Sequence, residues 1–422
     1  MELAKNKFKK TELGLIPEEW KLFKVNDLLE LLTDYDANGS FSSVAENVKV
    51  YDSENFAWYV RSTDLEKKSS LNNVRYVDEE SYRFLKKTPL FGGELLFLKR
   101  GDIGRVYLFE MRTKYATVAP NLYLLKLNQK TLPQYLFYYF TSDVGQSQLK
   151  SKNASSTLGA LYKDDVKAIN VPLPPLPEQK AIAQVLSDTD SLIQTLEQKL
   201  TKKSAIKQGA MQQLLMPKEE WVVRKLGEIG KTFGGLSGKS KPDFSNGNSK
   251  YIPFMNIMSN PVIDTTYLDS VFIKKNEIQN KAIKGDLFFN GSSETPEEVG
   301  LCSVLLENIP NLYLNSFCFG FRLFNQEEFN GLYLSYFFRS DEGRKLFYSL
   351  AQGATRYNLS KANFLKLEFS IPNPKEQTRI ATILSDMDLE IAQLEQKLDK
   401  YILLKQGLMQ ELLTGRIRLI KT

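Results

Sequence analysis

One stretch of this sequence has the glycine, lysine and serine of a phosphate-binding loop. Residues 234–240 read GGLSGKS. A phosphate-binding loop needs four residues between its first glycine and the Gly-Lys-Ser/Thr that closes it, but three residues separate Gly234 from Gly238. The next residues, KPDFSNGNSK, have the composition of a loop rather than of a helix. We therefore interpret this stretch as a glycine-rich surface loop that does not hydrolyse nucleotides.

A pair of aspartates that occurs twice could bind a metal ion. Asp188 and Asp190 recur as Asp386 and Asp388, within segments predicted below to be helical. Residues two apart on a helix point about 200° away from each other, so neither pair can hold one ion between its carboxylates. We interpret these aspartates as solvated or partner-facing groups.

The remaining searches for catalytic residues also fail. The chain has no histidine, which removes the Ser-His-Asp and Cys-His constellations, histidine-ligated metals and the commonest general base. The proline-rich LPPLP at 173–177 is not the Asn/Asp-Pro-Pro-Tyr/Phe tetrad of an amino-group methyltransferase. After Pro242-Asp243, the first Asp/Glu-x-Lys triplet that a nuclease would need is 395–397, inside a predicted helix. The sequence therefore predicts a chain that is not an enzyme and that holds no metal or cofactor of its own.

Composition limits the class of protein. The 422 residues leave room for two domains of about 150–200 residues, and 42% hydrophobic residues indicate real cores. No apolar run reaches the length of a membrane span, and the first ten residues, MELAKNKFKK, lack the apolar segment of a signal peptide. The two cysteines favour a reducing cytoplasm. A net charge of +6 suits a polyanion binder without proving one.

The elements that position these residues are duplicated. Residues 178–200 and 376–398 are identical at 14 of 23 positions, at a constant offset of 198. Shorter matches, such as TSDVG at 141–145 with RSDEG at 339–343, extend the repeat, whereas 41–75 and 240–280 do not align. One chain therefore holds two copies of one module, each with a shared frame and a divergent body.

The duplicated segments are predicted to be long helices. There is no internal proline from Pro177 to Pro217 or from Pro374 to about Leu413, and each segment of about 40 residues corresponds to about 60 Å of helix. Apolar residues recur at heptad spacing and predict a narrow seam that packs against another helix. The seam residues are Ile182, Leu186, Thr189, Ile193, Leu196 and Leu200 in the first copy and Ile380, Leu384, Met387, Ile391, Leu394 and Leu398 in the second. Core helices of two separate domains are the alternative interpretation.

The bodies read as mixed helix and strand, and an α+β fold is predicted for each. Short apolar or alternating runs at 121–127, 286–289 and 316–324 are typical of strands, and those at 134–140 and 332–338 resemble short buried helices. Within the bodies, basic and amide side chains could contact nucleic acid, since Arg and Lys suit guanine edges and phosphates and Asn suits adenine. The candidates are Arg61, Lys99, Arg100, Arg105, Asn121, Lys239, Lys241, Arg356 and Asn358.

Taken together, the motifs resemble the specificity subunit of type I restriction–modification systems along essentially the whole chain. The signatures are the duplicated helix-start motifs PLPEQ (175–179) and PKEQ (374–377), the I-A-x-h-L-S-D-x-D run, and the LEQKL…LKQGLMQELLTG ending. TELGLIPEEW (11–20) and GATRYNLS (353–360) also fit.

The resemblance implies two target-recognition domains, at 1–176 and 217–373, separated by two conserved helices, at 177–216 and 374–415, that form an antiparallel coiled coil. The tail at 416–422 would meet the N-terminal segment. It also implies double-stranded DNA with a bipartite target, two methyltransferase subunits and restriction subunits as partners. S-adenosylmethionine, ATP and Mg²⁺ would belong to those partners.

Identical polar residues beyond the seam suggest that the outward helix faces bind two copies of one methyltransferase subunit. They are Asp188, Asp190 and Glu197 in the first copy and Asp386, Asp388 and Glu395 in the second. Two other functions remain open: a paired-module coiled-coil scaffold that does not touch DNA, and a self-contained DNA enzyme.

Overall fold

The computed structural model describes residues 7–66, 71–152, 159–244, 247–348, 350 and 357–419. It divides into two compact units. Unit 1 comprises Met1–Glu197 together with Lys397–Thr422, and unit 2 comprises Gln198–Gln396. Each unit therefore contains one body and a part of each of two long helices.

Body 1 is built from short strands and helices that follow one another closely. Its strands are β1 (Phe8–Thr11), β2 (Gly14–Pro17), β3 (Lys21–Lys24), β4 (Leu29–Asp34), β5 (Val50–Tyr51), β6 (Ala57–Val60), β7 (Arg75–Val77), β8 (Pro89–Leu90), β9 (Leu95–Leu98), β10 (Val106–Leu108), β11 (Ala116–Val118), β12 (Leu122–Leu127) and β13 (Asn170–Leu173). Its helices are α1 (Phe41–Asn47), α2 (Ser62–Glu66), α3 (Glu79–Phe84), α4 (Pro133–Thr141), α5 (Asp143–Ser151) and α6 (Lys163–Lys167), with 3-10 turns at Val25–Leu28 and Tyr35–Asn38. The first long helix, α7, spans Leu176–Leu214.

Body 2 has a similar series of elements. Its strands are β14 (Val222–Lys225), β15 (Gly230–Gly234), β16 (Ser249–Ile252), β17 (Asp269–Val271), β18 (Leu287–Asn290), β19 (Ser292–Ser293), β20 (Cys302–Val304), β21 (Leu312–Leu314), β22 (Cys318–Leu323), β23 (Tyr357–Asn358) and β24 (Glu368–Ile371). Its helices are α8 (Leu226–Ile229), α9 (Phe254–Ser259), α10 (Gly331–Arg339), α11 (Asp341–Tyr348) and α12 (Lys361–Phe364), with 3-10 turns at Lys241–Phe244 and Pro296–Glu298. The second long helix, α13, spans Pro374–Leu413.

The two bodies share a topology although their sequences diverge. Body 1 has an antiparallel sheet of order β10-β9-β12-β4, and body 2 has its counterpart, β20-β18-β22-β15. A second sheet contains one parallel pair in each body, β6 with β11 and β16 with β21. The α+β prediction is confirmed, and the predicted strands and short helices correspond to β12, β18, β22, α4 and α10. The glycine-rich stretch is a loop between β15 and a 3-10 turn, as predicted.

The beginning of each long helix belongs to a body core. Ile182, Ala183 and Leu186 pack in the core of unit 1, and the equivalent Ile380, Ala381 and Leu384 pack in the core of unit 2. Of the seam residues further along, Leu196 is buried, whereas Ile193 and Ile391 are only partly buried. The first positions of the heptad pattern thus pack against a body, as the core-helix interpretation has it. Further along, ion pairs join α7 and α13, such as that of Lys203 with Glu390.

Candidate functional site

Each long helix is anchored at its start by a buried glutamine, Gln179 in α7 and Gln377 in α13. Each side chain accepts one backbone N–H and donates to two backbone carbonyls. The partners are Leu132 N–H, Lys130 O and Pro174 O for Gln179, and Asn330 N–H, Glu328 O and Pro372 O for Gln377, all between 2.8 and 3.1 Å. A buried amide without partners would be costly. The glutamine that ends both helix-start motifs is therefore a structural anchor.

A tyrosine–aspartate–lysine cluster occurs in each unit, and its positions are related by the same offset of 198. The clusters are Tyr138, Asp190 and Lys405 in unit 1, and Tyr336, Asp388 and Lys207 in unit 2. The tyrosine hydroxyl donates to the aspartate at 2.9 Å and 2.7 Å, respectively, and the lysine forms an ion pair with the same carboxylate. Burial and the adjacent carboxylate raise the pKa of both tyrosines, which therefore remain proton donors.

The ion pairs of these clusters show the relative direction of the two long helices. In unit 1 an early residue of α7, Asp190, meets a late residue of α13, Lys405; in unit 2 a late residue of α7, Lys207, meets an early residue of α13, Asp388. The two helices therefore run antiparallel. Asp190 and Asp388, two of the predicted partner-facing residues, thus have contacts within their own units, and their side chains remain 38% and 32% exposed. Asp188, Glu197, Asp386 and Glu395 are exposed.

The duplicated S-D-x-G turn lies beside the late part of a long helix in each unit. The Ser142 and Ser340 hydroxyls accept the N–H groups of Gly145 and Gly343, in the first turns of α5 and α11. A Cβ on either glycine would overlap the preceding helix backbone, at the carbonyl of Tyr139 or Phe337, so both positions require glycine.

Next to each turn lies a surface groove, with a volume of about 280 Å³ in unit 1 and about 420 Å³ in unit 2. We call these the paired grooves. Five lining residues have the same type in both: Ser142, Asp143, Met409, Gln410 and Leu413 in unit 1, and Ser340, Asp341, Met211, Gln212 and Leu215 in unit 2. The remaining lining residues differ, for example Val144 in unit 1 and Glu342 in unit 2, so the two grooves share one part of their surface chemistry.

The C-terminal segment after α13 contacts the N-terminal segment, as the sequence predicts. Arg418 bonds both carboxylate oxygens of Glu178, at 2.6 and 2.8 Å, and one of Glu19, at 2.9 Å. The indole N–H of Trp20 donates to Glu178 at 3.1 Å. Side-chain exposure is 5% for Arg418 and 0% for Glu178, so this ion pair is buried. We call these four residues the closing site.

Four of the predicted nucleic-acid contacts lie in ion pairs within the bodies, and Arg61, Lys99 and Lys239 are the less exposed of them. Arg61 pairs with the buried Asp64 at 2.8 Å. Lys99 pairs with Asp34 and Asp36, and Lys239 with Glu277 at 2.6 Å; the two lysine side chains are 11% and 4% exposed. Hydrogen bonds, first from Lys239 and then from Gln279, lower the pKa of Glu277 to about 2, so this pair stays charged. Each of these three cations thus stabilises its own body.

The other candidates differ in exposure. Arg105 is half exposed and pairs with Asp102 and Glu66. Arg100, Asn121, Lys241 and Asn358 are exposed, and Arg356 lies outside the described residues.

Arg100, Asn121 and Asn358 lie at one equivalent place in the two bodies, which we call the loop edge. In body 1, Arg100 forms an isolated antiparallel β-bridge with Ala160, and the backbone N–H of Lys99 donates to the carbonyl of Asn121. In body 2, Ser292 lies opposite Asn358 in an antiparallel strand pair, and the backbone N–H of Gly291 donates to the carbonyl of Phe317. The loop edge thus consists of Arg100, Asn121 and Ala160 in body 1 and of Ser292, Phe317 and Asn358 in body 2. The backbone arrangement is the same, but the side-chain chemistry differs at all three positions.

Sequence reasoning missed exposed apolar side chains in the bodies. Phe317 at the loop edge is 60% exposed, Phe41 is 93% exposed and Ile278 is 96% exposed. In a sequence they look like core residues, and only the fold reveals their position. Exposed aromatic rings can stack on bases or contact a thymine methyl group.

The described residues hold no group of three or more Cys, Asp or Glu side chains that could bind a metal ion. Both cysteines are buried, and burial raises their pKa, to about 12 for Cys318, so neither thiol is activated as a nucleophile. Among the same residues, no helix is long and apolar enough to cross a membrane.

Comparison with known proteins identifies the repeated module. The family model described as the type I restriction modification DNA specificity domain matches twice, at residues 17–206 and 218–403. Two chains of Methanocaldococcus jannaschii named as type I restriction enzyme specificity subunits, MjaX and MjaVIII, are 27% and 23% identical to this chain. The alignments cover 98% and 96% of this chain and 97% and 94% of the relatives.

The fold is also similar to that of a solved chain. A crystal structure of a type I restriction–modification S subunit from M. genitalium matches with a TM-score of 0.57 at 15% identity, over 98% of both chains. At this identity the likeness supports the fold alone.

Proposed function

The chain belongs to the family of type I restriction–modification DNA specificity domains, and from this premise we propose that its two bodies read the two halves of a bipartite DNA sequence while its shared frame recruits methyltransferase and restriction subunits. The chain itself is a specificity subunit with two target-recognition domains, and it is not an enzyme. The readers would be residues 1–176 and 217–373, and the helical spacers 177–216 and 374–415. Its site of action would be the cytoplasm.

One observation carries the DNA-reading proposal: the two loop edges have the same backbone pairing but different side chains. A scaffold that bound one repeated partner at this place would keep the residue types, as five positions of the paired grooves do. Readers of two different half-sites need instead a constant backbone that presents different donors and acceptors. Arg100 and Asn121 in body 1 would suit guanine and adenine edges, and Phe317 and Asn358 in body 2 would suit a thymine methyl group and adenine. Lys241 and Arg105 would contact phosphates.

The proposal that two methyltransferase subunits bind rests on residues that are the same in both units. The paired grooves share five lining residues, and the exposed Asp188 and Asp386 are also kept. Two surfaces with such a shared part on one chain are what two copies of the same partner would require. We therefore propose that each methyltransferase subunit contacts one paired groove and the adjacent exposed helix face.

Chemistry would reside in those partners. S-adenosylmethionine, ATP and Mg²⁺ would be bound by the methyltransferase and restriction subunits. This chain would contribute the choice of sequence and the orientation of the two methyltransferase subunits.

Single substitutions at the loop edge test the reading role. The wild-type chain in complex with its partner methyltransferase would select double-stranded DNA from a randomised library, and the selection would be repeated with Arg100→Ala and Asn358→Ala. Arg100→Ala should relax one position of one block, and Asn358→Ala one position of the other block, each by about 1–3 kcal/mol. Lys150→Ala, which changes an exposed cation on α5, is the control and should leave the sequence preference unchanged. Unchanged preference in both loop-edge variants would refute this reading role.

A further inference from the structure

The closing site of unit 1 has a counterpart in unit 2 that no segment of this chain fills among the described residues. After α13 the chain continues as the segment Gly415–Leu419, which supplies Arg418 to the closing site. After α7, by contrast, the chain passes directly through 215–221 into body 2, because MPKEEW at 216–221 is the repeat counterpart of IPEEW at 16–20. Unit 2 therefore has the residues that receive an arginine but no tail that provides one.

The counterpart is a surface cavity of about 540 Å³. Its lining includes Glu220, Trp221 and Glu376, which are the repeat equivalents of Glu19, Trp20 and Glu178. We call these three residues the open site. In unit 1 the equivalent two carboxylates bond Arg418, and the guanidinium lies 5.8 Å from the Trp20 ring centre. The open site thus repeats each protein group that holds Arg418.

The lining of the cavity carries one more carboxylate than cation, and the positive charge of Arg379, which pairs with Glu376, balances it. Glu328 adds a third carboxylate, and Lys218 and Arg224 are the two cations. Lys218 Nζ is 4.0 Å from Glu376, at the outer limit of an ion pair.

Glu376 has a local partner that an incoming arginine would replace. Arg379, one turn later on α13, bonds both of its carboxylate oxygens at 2.7 Å. This is an i,i+3 pair with the Arg379 side chain 53% exposed, and exposed pairs of this kind are weak and screened by salt. In module 1 the equivalent residue is Ala181, so Glu178 has no local guanidinium at this position and relies on Arg418.

We propose that the open site binds an arginine-bearing peptide segment of a partner protein, in the way that the closing site binds Arg418. The occupant is a peptide because the segment in unit 1 contributes aliphatic contacts as well as charge: Ile417 and Leu419, on either side of Arg418, pack against the core. We assign the occupant to another protein because, in the part of the chain that the structure describes, the segment that fits such a site is 415–419, and the closing site already holds it.

If the open site binds such a segment, the two modules differ in their capacity to bind a partner. A protein that bound both modules through such a segment would find one site occupied and one open. This consequence does not depend on the DNA-reading role, since it involves neither loop edge.

A synthetic peptide with the sequence of residues 413–419, LTGRIRL, is a suitable probe because this sequence fits the equivalent site of unit 1. Labelled peptide would be titrated with the intact chain and followed by fluorescence anisotropy. We expect one peptide to bind per chain. Replacing the peptide arginine that corresponds to Arg418 with alanine should weaken binding at least tenfold, because two charge-assisted hydrogen-bond partners are lost.

Variants of the chain locate the binding. Glu220→Gln and Glu376→Gln should each weaken peptide binding about tenfold, whereas Arg379→Ala should strengthen it because the competing local guanidinium is gone. Glu19→Gln, in the closing site, should have no effect. Glu220 is exposed, so its variant tests the site without disturbing the fold.

Three results would overturn the proposal. One is no peptide binding to the intact chain or to the Arg379→Ala variant. Another is binding that depends on Glu19 rather than on Glu220, since the peptide would then displace the chain's own tail. The third is concentration-dependent dimerisation of the chain, lost on Arg418→Ala, because the occupant would then be the tail of a second copy.

Discussion

Glu178 and Glu376 occupy the same position of the repeat but lie in different surroundings. Glu178 is fully buried between Trp20 and Arg418, while Glu376 is 23% exposed and pairs with its helical neighbour Arg379. The difference arises from connectivity. Unit 2 is continuous from α7 into its body, whereas unit 1 joins the end of α13 to its N-terminal segment without a covalent bond. In unit 1 the buried ion pair of Arg418 with Glu178 holds these two segments together instead.

The comparison shows which parts of a repeat are constrained. Anchors such as Gln179 and Gln377, and the two tyrosine–aspartate–lysine clusters, make the same contacts in both units because the helices need the same start and the same pairing. The loop edges differ in their side chains, as the proposed reading of two different half-sites would require, and the surroundings of Glu178 and Glu376 differ because Arg418 contacts only Glu178. Matched substitutions in the two modules should therefore cost the same in the frame and different amounts at these two glutamates.

The largest difference is expected at the closing ion pair. Arg418→Ala should lower the free energy of unfolding by about 3 kcal/mol, because it leaves the Glu178 carboxylate buried without its cation. Arg379→Ala, which removes the guanidinium partner of Glu376, should cause little change in the free energy of unfolding, since Arg379 is 53% exposed. Urea unfolding of both variants, followed by tryptophan fluorescence, measures the difference. Equal losses would show that the ion pairs of Glu178 and Glu376 are energetically alike.

The tyrosine–aspartate–lysine clusters should show the opposite behaviour. Tyr138→Phe and Tyr336→Phe each remove one hydrogen bond to a part-buried carboxylate while leaving the ring in place. We expect each to cost about 1 kcal/mol, with the two values agreeing within about 0.5 kcal/mol. Hydrogen exchange of the amides in α7 and α13 would report the local loosening around each cluster. A clear inequality would mean that the clusters are not equivalent.

The smallest expected effects are those of replacing glycines by alanine. The sign of the change in the free energy of unfolding should depend on the position within the module and be the same in both modules. A Cβ at Gly209 or Gly407, in the interiors of α7 and α13, meets no atom within 4 Å. Alanine at either position should raise the free energy of unfolding by up to about 1 kcal/mol, because glycine is a poor helix former. Alanine at Gly145 or Gly343 should instead destabilise, since it overlaps a helix carbonyl. Thermal unfolding of the four variants gives the sign of each effect.

Most of the shared frame could be predicted from the sequence. Identities at a constant offset revealed the repeat, and the predicted long helices at 177–216 and 374–415 begin and end within two residues of α7 and α13. The bodies were harder because their common topology is encoded by strand patterns rather than by aligned residues. The segments 41–75 and 240–280 show no likeness by eye, yet β6 and β16 take the same place in their sheets.

The candidate site was predicted less well because charge pairing is a long-range property. Lys163 bonds Asp34, from which it is separated by 129 residues, and Arg418 bonds Glu178 at a separation of 240. A sequence cannot show whether a lysine such as Lys99 or Lys239 faces solvent or a buried carboxylate. It also cannot show that Asp190 turns toward Tyr138 while Asp188, two residues earlier, stays exposed. Exposed Phe41 and Phe317 carried no sequence signal, since aromatic residues in short apolar runs usually belong to a core.

The most direct test of the account is the methylation pattern of a chain with one body exchanged. Cells would express the partner methyltransferase with either the wild-type chain or a chimera in which residues 217–373 come from a related specificity subunit of different target, and genomic methylation would be sequenced. We predict a bipartite motif for the wild type and, for the chimera, one block unchanged and the other replaced. A continuous motif, or a chimera in which both blocks change, would contradict the claim that the two bodies read separate halves of the target.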